Sequence, residues 1–173
     1  ASGPAAALPH YRAKDLPIRS DTVLLIDYGA RYQGYCSDLT RTFFLGKVPD
    51  QLQHAYRATL EAQERAIAAL KPGMRCKDAD AIARDYLSSQ GYTKEFGHSL
   101  GHGIGLDIHE QPGLRKSADD ADILQPGMVV TIEPGVYLPG LGGIRIEDDV
   151  LITDTGYQVL SSLPKSFDTA RLT

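Results

Sequence analysis

Two cysteines in 173 residues, Cys36 and Cys76, are too few for a disulfide framework, and their scarcity points to a reducing compartment, the cytoplasm. No apolar run approaches the roughly 18 residues of a membrane span. The opening ASGPAAALPH lacks the charged start and apolar centre of a secretory leader. Nor is there a basic stripe: acids and bases are mixed and the net charge is −4, which excludes nucleic acid as the expected partner. What is present is ordinary for a soluble globular chain, 42% hydrophobic and 23% charged. The length suits one domain that buries about two-thirds of its unfolded surface. The chain starts without methionine in a Gly/Pro-rich stretch and reads as a fragment or a processed product.

Residues 1 to 21 carry Pro4, Pro9 and Pro17 and read as loop. β-Branched and aromatic residues then predict strands at Thr22–Asp27, Gly34–Cys36 and Asp38–Leu45. Pro49 opens a helical pattern in which Leu52, Ala55, Tyr56, Leu60, Ala66, Ile67 and Leu70 approximate i, i+3, i+4 spacing, and Pro72-Gly73 stops it. A second helix is expected over Lys77–Gln90, with Gly91 just past its end. The chain turns Gly-rich from Gly97, and strands return near Met128–Ile132, Gly143–Glu147 and Val150–Thr153.

The stretch TVLLIDYGARYQGYCSDLTRTF (22 to 43) poses a problem, because Val23 to Ile26 reads as a fully buried strand and ends on Asp27. A second acid, Asp38, follows eleven residues later in another strand-like run. Burying even a neutral polar group without hydrogen bonds costs roughly 2–7 kcal/mol. An internal similarity bears on this. TVLLIDYGA aligns without a gap on MVVTIEPGV (128 to 136), and GYCSD (34 to 38) aligns on GIRIE (143 to 147). LKPGM (70 to 74) and LQPGM (124 to 128) also recur, at a different place relative to the strands. One such pair is easily chance. Two in the same order, each ending on an acid, predict pseudo-symmetric halves that bring Asp27, Asp38, Glu133 and Glu147 together. Four gathered carboxylates repel and stay protonated unless cations compensate them, and two divalent ions balance their charge. Each acid alone reads as a solvated strand end or a salt-bridge partner; the set does not.

A further ligand is expected from histidine. GHSLGHGIGLDIHE (97 to 110) supplies His98, His102 and His109 among glycines that let backbone pass close to a site. Their spacing does not match a helical His-Glu-x-x-His zinc motif. His54 reads as a partly exposed helical residue, and His10 in ALPHYR is ambiguous on pattern alone.

The order Asp27, Asp38, His102, Glu133, Glu147 resembles the five-ligand signature of the pita-bread metallopeptidases, the family of methionine aminopeptidase, aminopeptidase P and prolidase. DLTRTF, GHGIGLDIHE, TIEPGVY and GIRIEDDVLIT each match family motifs, and the likeness runs from about His10 to the end. It implies an α+β fold: pseudo-two-fold strand halves, with helices covering the outside of a curved antiparallel sheet. It also implies that residues 1–173 are a single catalytic domain shortened at its N-terminal side, with Ala1 inside a strand of the complete protein. His98 and Arg145 fit the HxxGH and RxE patterns of the Xaa-Pro branch, which methionine aminopeptidases lack. Methionine aminopeptidase-like activity and a metal-free binding module on the same fold are the alternatives. Relatives without metal have lost ligands, whereas all five are kept here.

The resemblance implies two divalent ions, Mn²⁺ first, with Co²⁺, Fe²⁺ or Zn²⁺ as alternatives, and a metal-bridging hydroxide as nucleophile. Asp38 and Glu147 would bridge the ions, Asp27 would complete one side, and His102 and Glu133 the other. Glu133 would be the general base and His109 would stabilise the oxyanion. His98 and His10 would line the pocket and Tyr137 would support the scissile amide. Arg145 would hold a ligand carboxylate, because it alternates with Ile144 and Ile146 and shares a face with Glu147. The implied substrate is a peptide with proline at its second position, and relatives are often homodimers.

Overall fold

In the computed structural model, which describes residues 1–172, two similar runs of strands flank a helical pair. Thr173, the last residue of the expected domain, lies outside the described residues. After a 3-10 turn at Gly3–Ala7, the first run comprises β1 (Thr22–Tyr28), a hairpin of β2 (Arg31–Tyr32) and β3 (Tyr35–Cys36), and β4 (Leu39–Leu45). Helices α1 (Asp50–Ala69) and α2 (Cys76–Ser89) follow, then β5 (Gly101–Gly103) and β6 (Glu110–Leu114). The second run is β7 (Val129–Ile132), a hairpin of β8 (Gly135–Leu138) and β9 (Gly142–Arg145), and β10 (Asp148–Ile152). Strands β11 (Tyr157–Val159) and β12 (Arg171–Leu172) end the described chain.

Each run is a strand, a hairpin and a second strand, and the two strands that flank each hairpin pair antiparallel. Asp27 faces Thr40 in β1–β4, and Ile132 faces Asp148 in β7–β10. The halves implied by the internal similarity are therefore present in the topology. One sheet runs β1-β4-β12 and the other β11-β10-β7-β5-β6, with β12 beside β4 as a parallel pair.

Two boundaries differ from expectation in the same way. The pattern places Asp38 and Glu147 inside strands, but each occupies a two-residue break, Ser37-Asp38 between β3 and β4 and Ile146-Glu147 between β9 and β10. Their main-chain donors are satisfied outside the ladders. The Asp38 N–H donates to the Asp149 carboxylate (3.1 Å), and the Glu147 N–H donates to the Thr40 carbonyl (3.1 Å). Such a break frees an acidic side chain from the pleat while its neighbours stay packed; Ile146 is fully buried.

Strand β1 also departs from a fully buried run. Val23 and Leu25 enter the core, whereas Ile26 is exposed and Leu24 half-buried, both on the wall of a second cavity. Helix α1 buries the expected Leu52, Ala55, Tyr56, Ala66 and Ile67, and adds Ala58, Thr59, Ala62 and Gln63. It packs on α2 and on β7, β8 and β9. The LKPGM and LQPGM turns prove to be partners: the Gly73 N–H donates to Leu124 O and the Leu124 N–H to Met74 O. Gly73 and Gly127 both have positive φ, +82° and +89°, which explains glycine after proline in each. No helix among the described residues is long and apolar enough to cross a membrane.

Candidate metal centre

The repeated topology places one acid at the end of the first strand of each run and one in each break, and all four line a cavity bordered by β5. That strand is Gly-rich because it must approach β7 closely: a β-carbon on Gly101 would collide with the Thr131 carbonyl. The approach lets the His102 N–H donate to Thr131 Oγ1 (3.0 Å), and Thr131 Oγ1 in turn donates to Glu133 Oε1 (3.3 Å). His102 Nδ1 lies 2.9 Å from the Gly103 carbonyl, which only accepts, so the proton sits on Nδ1 and Nε2 keeps its lone pair. That nitrogen is 3.4 Å from Glu133 Oε1 and 3.9 Å from Asp38 Oδ2.

Asp38, His102 and Glu147 each offer one donor atom within 4.8 Å of the others. Glu133 adjoins this set through His102. Asp27 reaches it from β1 and is held by an ion pair with Arg145 Nη2. All five residues line one cavity of about 750 Å³, together with His10, His98, His109 and Arg145. Every expected site residue except Tyr137 is on that wall.

The electrostatics show what the cluster lacks. Burial, reinforced by Glu133 and Asp38, pushes the Glu147 carboxyl well above its ordinary range. Burial is also the main cause at Glu133, raised to about 7, and at Asp38, raised to about 6, with neighbouring acids adding to both. Burial lowers His102, keeping it neutral. Buried acids that resist ionisation beside a neutral imidazole with a free lone pair are a donor set short of cations. Four carboxylates and one imidazole suit hard to borderline divalent ions, and the residues present fit them.

Tyr137 is buried behind the wall. Its hydroxyl accepts from Arg145 Nη1 (2.9 Å) and donates to His98 Nε2 (2.8 Å), while His98 Nδ1 donates to the Ser99 carbonyl (2.8 Å). Both His98 nitrogens are thus engaged, and burial drives this imidazole down to about 4, so it is neutral. It meets the cavity with its ring, and Tyr137 is separated from the cavity by the side chains it braces. Arg145 also donates to Pro9 O (3.2 Å), fixing the segment that carries exposed His10. His109 is exposed on the wall, its ring edge-on to His102 with centroids 4.4 Å apart. His54 lies on α1 and bonds the Tyr92 hydroxyl (2.7 Å), away from the cavity.

Sequence reasoning passed over three supporting residues. Thr40 Oγ1 donates to Glu147 Oε2 (2.6 Å) and accepts from Arg145 Nε (3.2 Å). Thr42 Oγ1 bonds both main-chain groups of Arg145, stitching β4 to β9. Thr131 Oγ1 joins the His102 main chain to Glu133. Thr40 and Thr131 signal themselves only as a hydroxyl two residues from a candidate ligand acid, in DLT and TIE, and Thr42 carries no such signal.

Comparison with known proteins places this arrangement. The profile described as metallopeptidase family M24 matches residues 1–154. The chain is 50% identical over 161 residues to the Xaa-Pro dipeptidase of Pyrococcus furiosus, covering 93% of this chain and 46% of that protein. It is 49% identical over 165 residues to the uncharacterized peptidase YqhT of Bacillus subtilis, covering 95% and 46%. The crystal structure of the prolidase from Pyrococcus horikoshii OT3 superimposes with a TM-score of 0.93 at 44% identity, covering 96% of this chain and 48% of that one. The chain spans about half the length of the relatives it matches. Its fold is the pita-bread fold of those prolidases, and the chain belongs to metallopeptidase family M24.

Proposed function

We propose that the chain forms the catalytic part of a metal-dependent exopeptidase that hydrolyses the peptide bond preceding proline, as an Xaa-Pro aminopeptidase or dipeptidase. The observation that carries this reading is a single cavity lined by Asp27, Asp38, His102, Glu133 and Glu147 together with His10, His98, His109 and Arg145. The relatives named Xaa-Pro dipeptidase and prolidase support it.

Asp27, Asp38, His102, Glu133 and Glu147 would hold two divalent ions, Mn²⁺ first among the candidates. Bound there, such ions supply an acidified water near neutral pH and a polarised carbonyl. The protein's own groups do the rest. Glu133, a carboxylate beside the ions, is placed to take the proton of that water. His109, exposed on the wall, donates to the carbonyl oxygen as negative charge develops on it. Arg145 fixes Asp27 and, through Tyr137, the neutral His98 ring, so one guanidinium orients a ligand and a wall of the pocket together. His10 closes the wall on the side of the N-terminal segment.

The test is metal analysis followed by a peptide series. Chain incubated with Mn²⁺ should retain between one and two ions, and it should release the first residue from Xaa-Pro peptides while leaving Xaa-Ala analogues intact. Retention well below one ion per chain rejects the reading. Cleavage of Met-Ala in preference to Xaa-Pro peptides would replace it with a methionine aminopeptidase.

A further inference from the structure

The two runs support each other's acids by a reciprocal device, and half of it falls on a residue that has no place in the chemistry above. In the alignment of GYCSD on GIRIE, Asp38 corresponds to Glu147, so Thr40 corresponds to Asp149, each two residues past its acid. Both reach across to the other run. Thr40 Oγ1 donates to Glu147 Oε2, and Asp149 Oδ2 accepts the main-chain N–H of Asp38. The first fixes a carboxylate directly. The second fixes the backbone from which a carboxylate springs.

Asp149 is well placed for this. It is 8% exposed and sits in β10 opposite Thr131, the residue that bonds both His102 and Glu133. Its own N–H donates to Ser161 Oγ (3.0 Å), and its carbonyl accepts from Leu160 (2.9 Å). Its second oxygen, Oδ1, is buried with no partner, and no Lys or Arg pairs with it among the described residues. A buried acid is costly without a cation. This carboxylate makes a single hydrogen bond among the described residues, and that bond ends on Asp38. The N–H it accepts lies in the break between β3 and β4, where no strand partner is available to take it.

We propose that Asp149 is a positioning residue for the metal centre, holding the Asp38 main chain so that its carboxylate meets His102 and Glu147. The proposal rests on the metallopeptidase reading. What Asp149 supplies is an acceptor oxygen, not charge. Asparagine offers the same oxygen in the same place, and alanine offers none.

The experiment titrates Mn²⁺ alone into the wild-type chain, Asp149→Ala and Asp149→Asn by calorimetry, with the thermal midpoint of each recorded in EDTA. Outer-sphere partners of metal ligands are commonly worth about 10–100-fold in affinity. Asp149→Ala should lose affinity in that range, whereas Asp149→Asn should stay within about threefold of wild type. Wild-type affinity in both variants overturns the proposal. An equal loss in both also overturns it, because the charge and not the acceptor would then matter. If Asp149→Ala fails to fold, Asp149→Val, a strand former of similar bulk with no acceptor, takes its place and is judged against Asp149→Asn by the same criterion. A wild-type chain that binds no Mn²⁺ rejects the metallopeptidase reading itself, a distinct result.

Discussion

Glu147 and Asp148 are neighbours in sequence and equally buried, 2% and 1% exposed, yet the molecule treats them in opposite ways. Asp148 points into a cluster the protein completes itself: Arg41 Nη2 at 2.7 Å, Lys165 Nζ at 2.6 Å and Gln63 Nε2 at 2.8 Å. Glu147 points the other way, toward Asp38, Glu133 and His102, and receives one side-chain donor, the Thr40 hydroxyl. One acid has its countercharges built in, and the other is raised well above its ordinary range by burial and by other acids. A compensated buried acid is part of the structure. An uncompensated cluster of them is what the proposed metal site requires, with its countercharge coming from outside.

Neutral, near-isosteric substitutions should separate the two, and this is the largest effect expected. Glu147→Gln should abolish Mn²⁺-dependent cleavage while leaving the thermal midpoint in EDTA unchanged or higher, because an acid that resists ionisation has been removed. Asp148→Asn should lower stability by about 3–5 kcal/mol, since Arg41 and Lys165 lose the charge they are buried against. Denaturant unfolding in EDTA and peptide assays on both variants check this. Equal destabilisation by the two would erase the contrast.

The histidines sharpen the same contrast. His102→Ala removes a free Nε2 lone pair aimed at Asp38 and Glu133, and should abolish activity and saturable Mn²⁺ binding. His54→Ala removes one half-buried hydrogen bond to Tyr92, worth about 1 kcal/mol, and should leave both intact. Similar losses in the two variants would sink the assignment of His102. Thr40→Val comes next in size. It takes from Glu147 Oε2 its one side-chain donor among the described residues and should weaken Mn²⁺ binding about 10–100-fold, short of losing a ligand, with Thr40→Ser restoring most of it.

Much of this was legible in sequence. The periodicity of α1, the β-branched run of β1 and the acids that end matched strands gave both halves of the fold, because local pattern and burial agree there. The proposed ligand acids showed as exceptions to that pattern. The cluster that neutralises Asp148 did not show, because Arg41, Gln63 and Lys165 are joined only by the completed fold; Lys165 reaches Gln63 across 102 positions. Strands β5 and β6 were missed because glycine and proline argue against strands, and here close approach to β7 overrides that preference. The breaks at Asp38 and Glu147 were also hidden, since Asp149 and Thr40, which satisfy them, are far away in sequence.

The smallest effect tests the comparison through protons. A carboxyl raised on folding binds more protons folded than unfolded, so it lowers stability as pH rises from its unfolded toward its folded value. For Asp38 and Asp149 that window runs from 3.8 to about 6, for Glu133 from 4.5 to about 7, and for Glu147 higher still. His98, lowered from 6.5 to about 4, and His102, lowered too, act in the opposite sense because they lose stability as pH falls below 6.5. From pH 6.5 upward the unfolded imidazoles shed the last of their protons and oppose the acids with falling weight, so Glu133 and Glu147 dominate. The Ala1 amine, lowered by burial, opposes them there, and acetylating it removes that contribution. The acetylated chain in EDTA should therefore melt a few degrees lower at pH 7.5 than at pH 6.5, at roughly 2–4 °C per kcal/mol. With saturating Mn²⁺ the slope should reverse, because the ligands must be deprotonated to bind. A metal-free midpoint that rises over this interval would mean that the cavity acids, like Asp148, already have their countercharges.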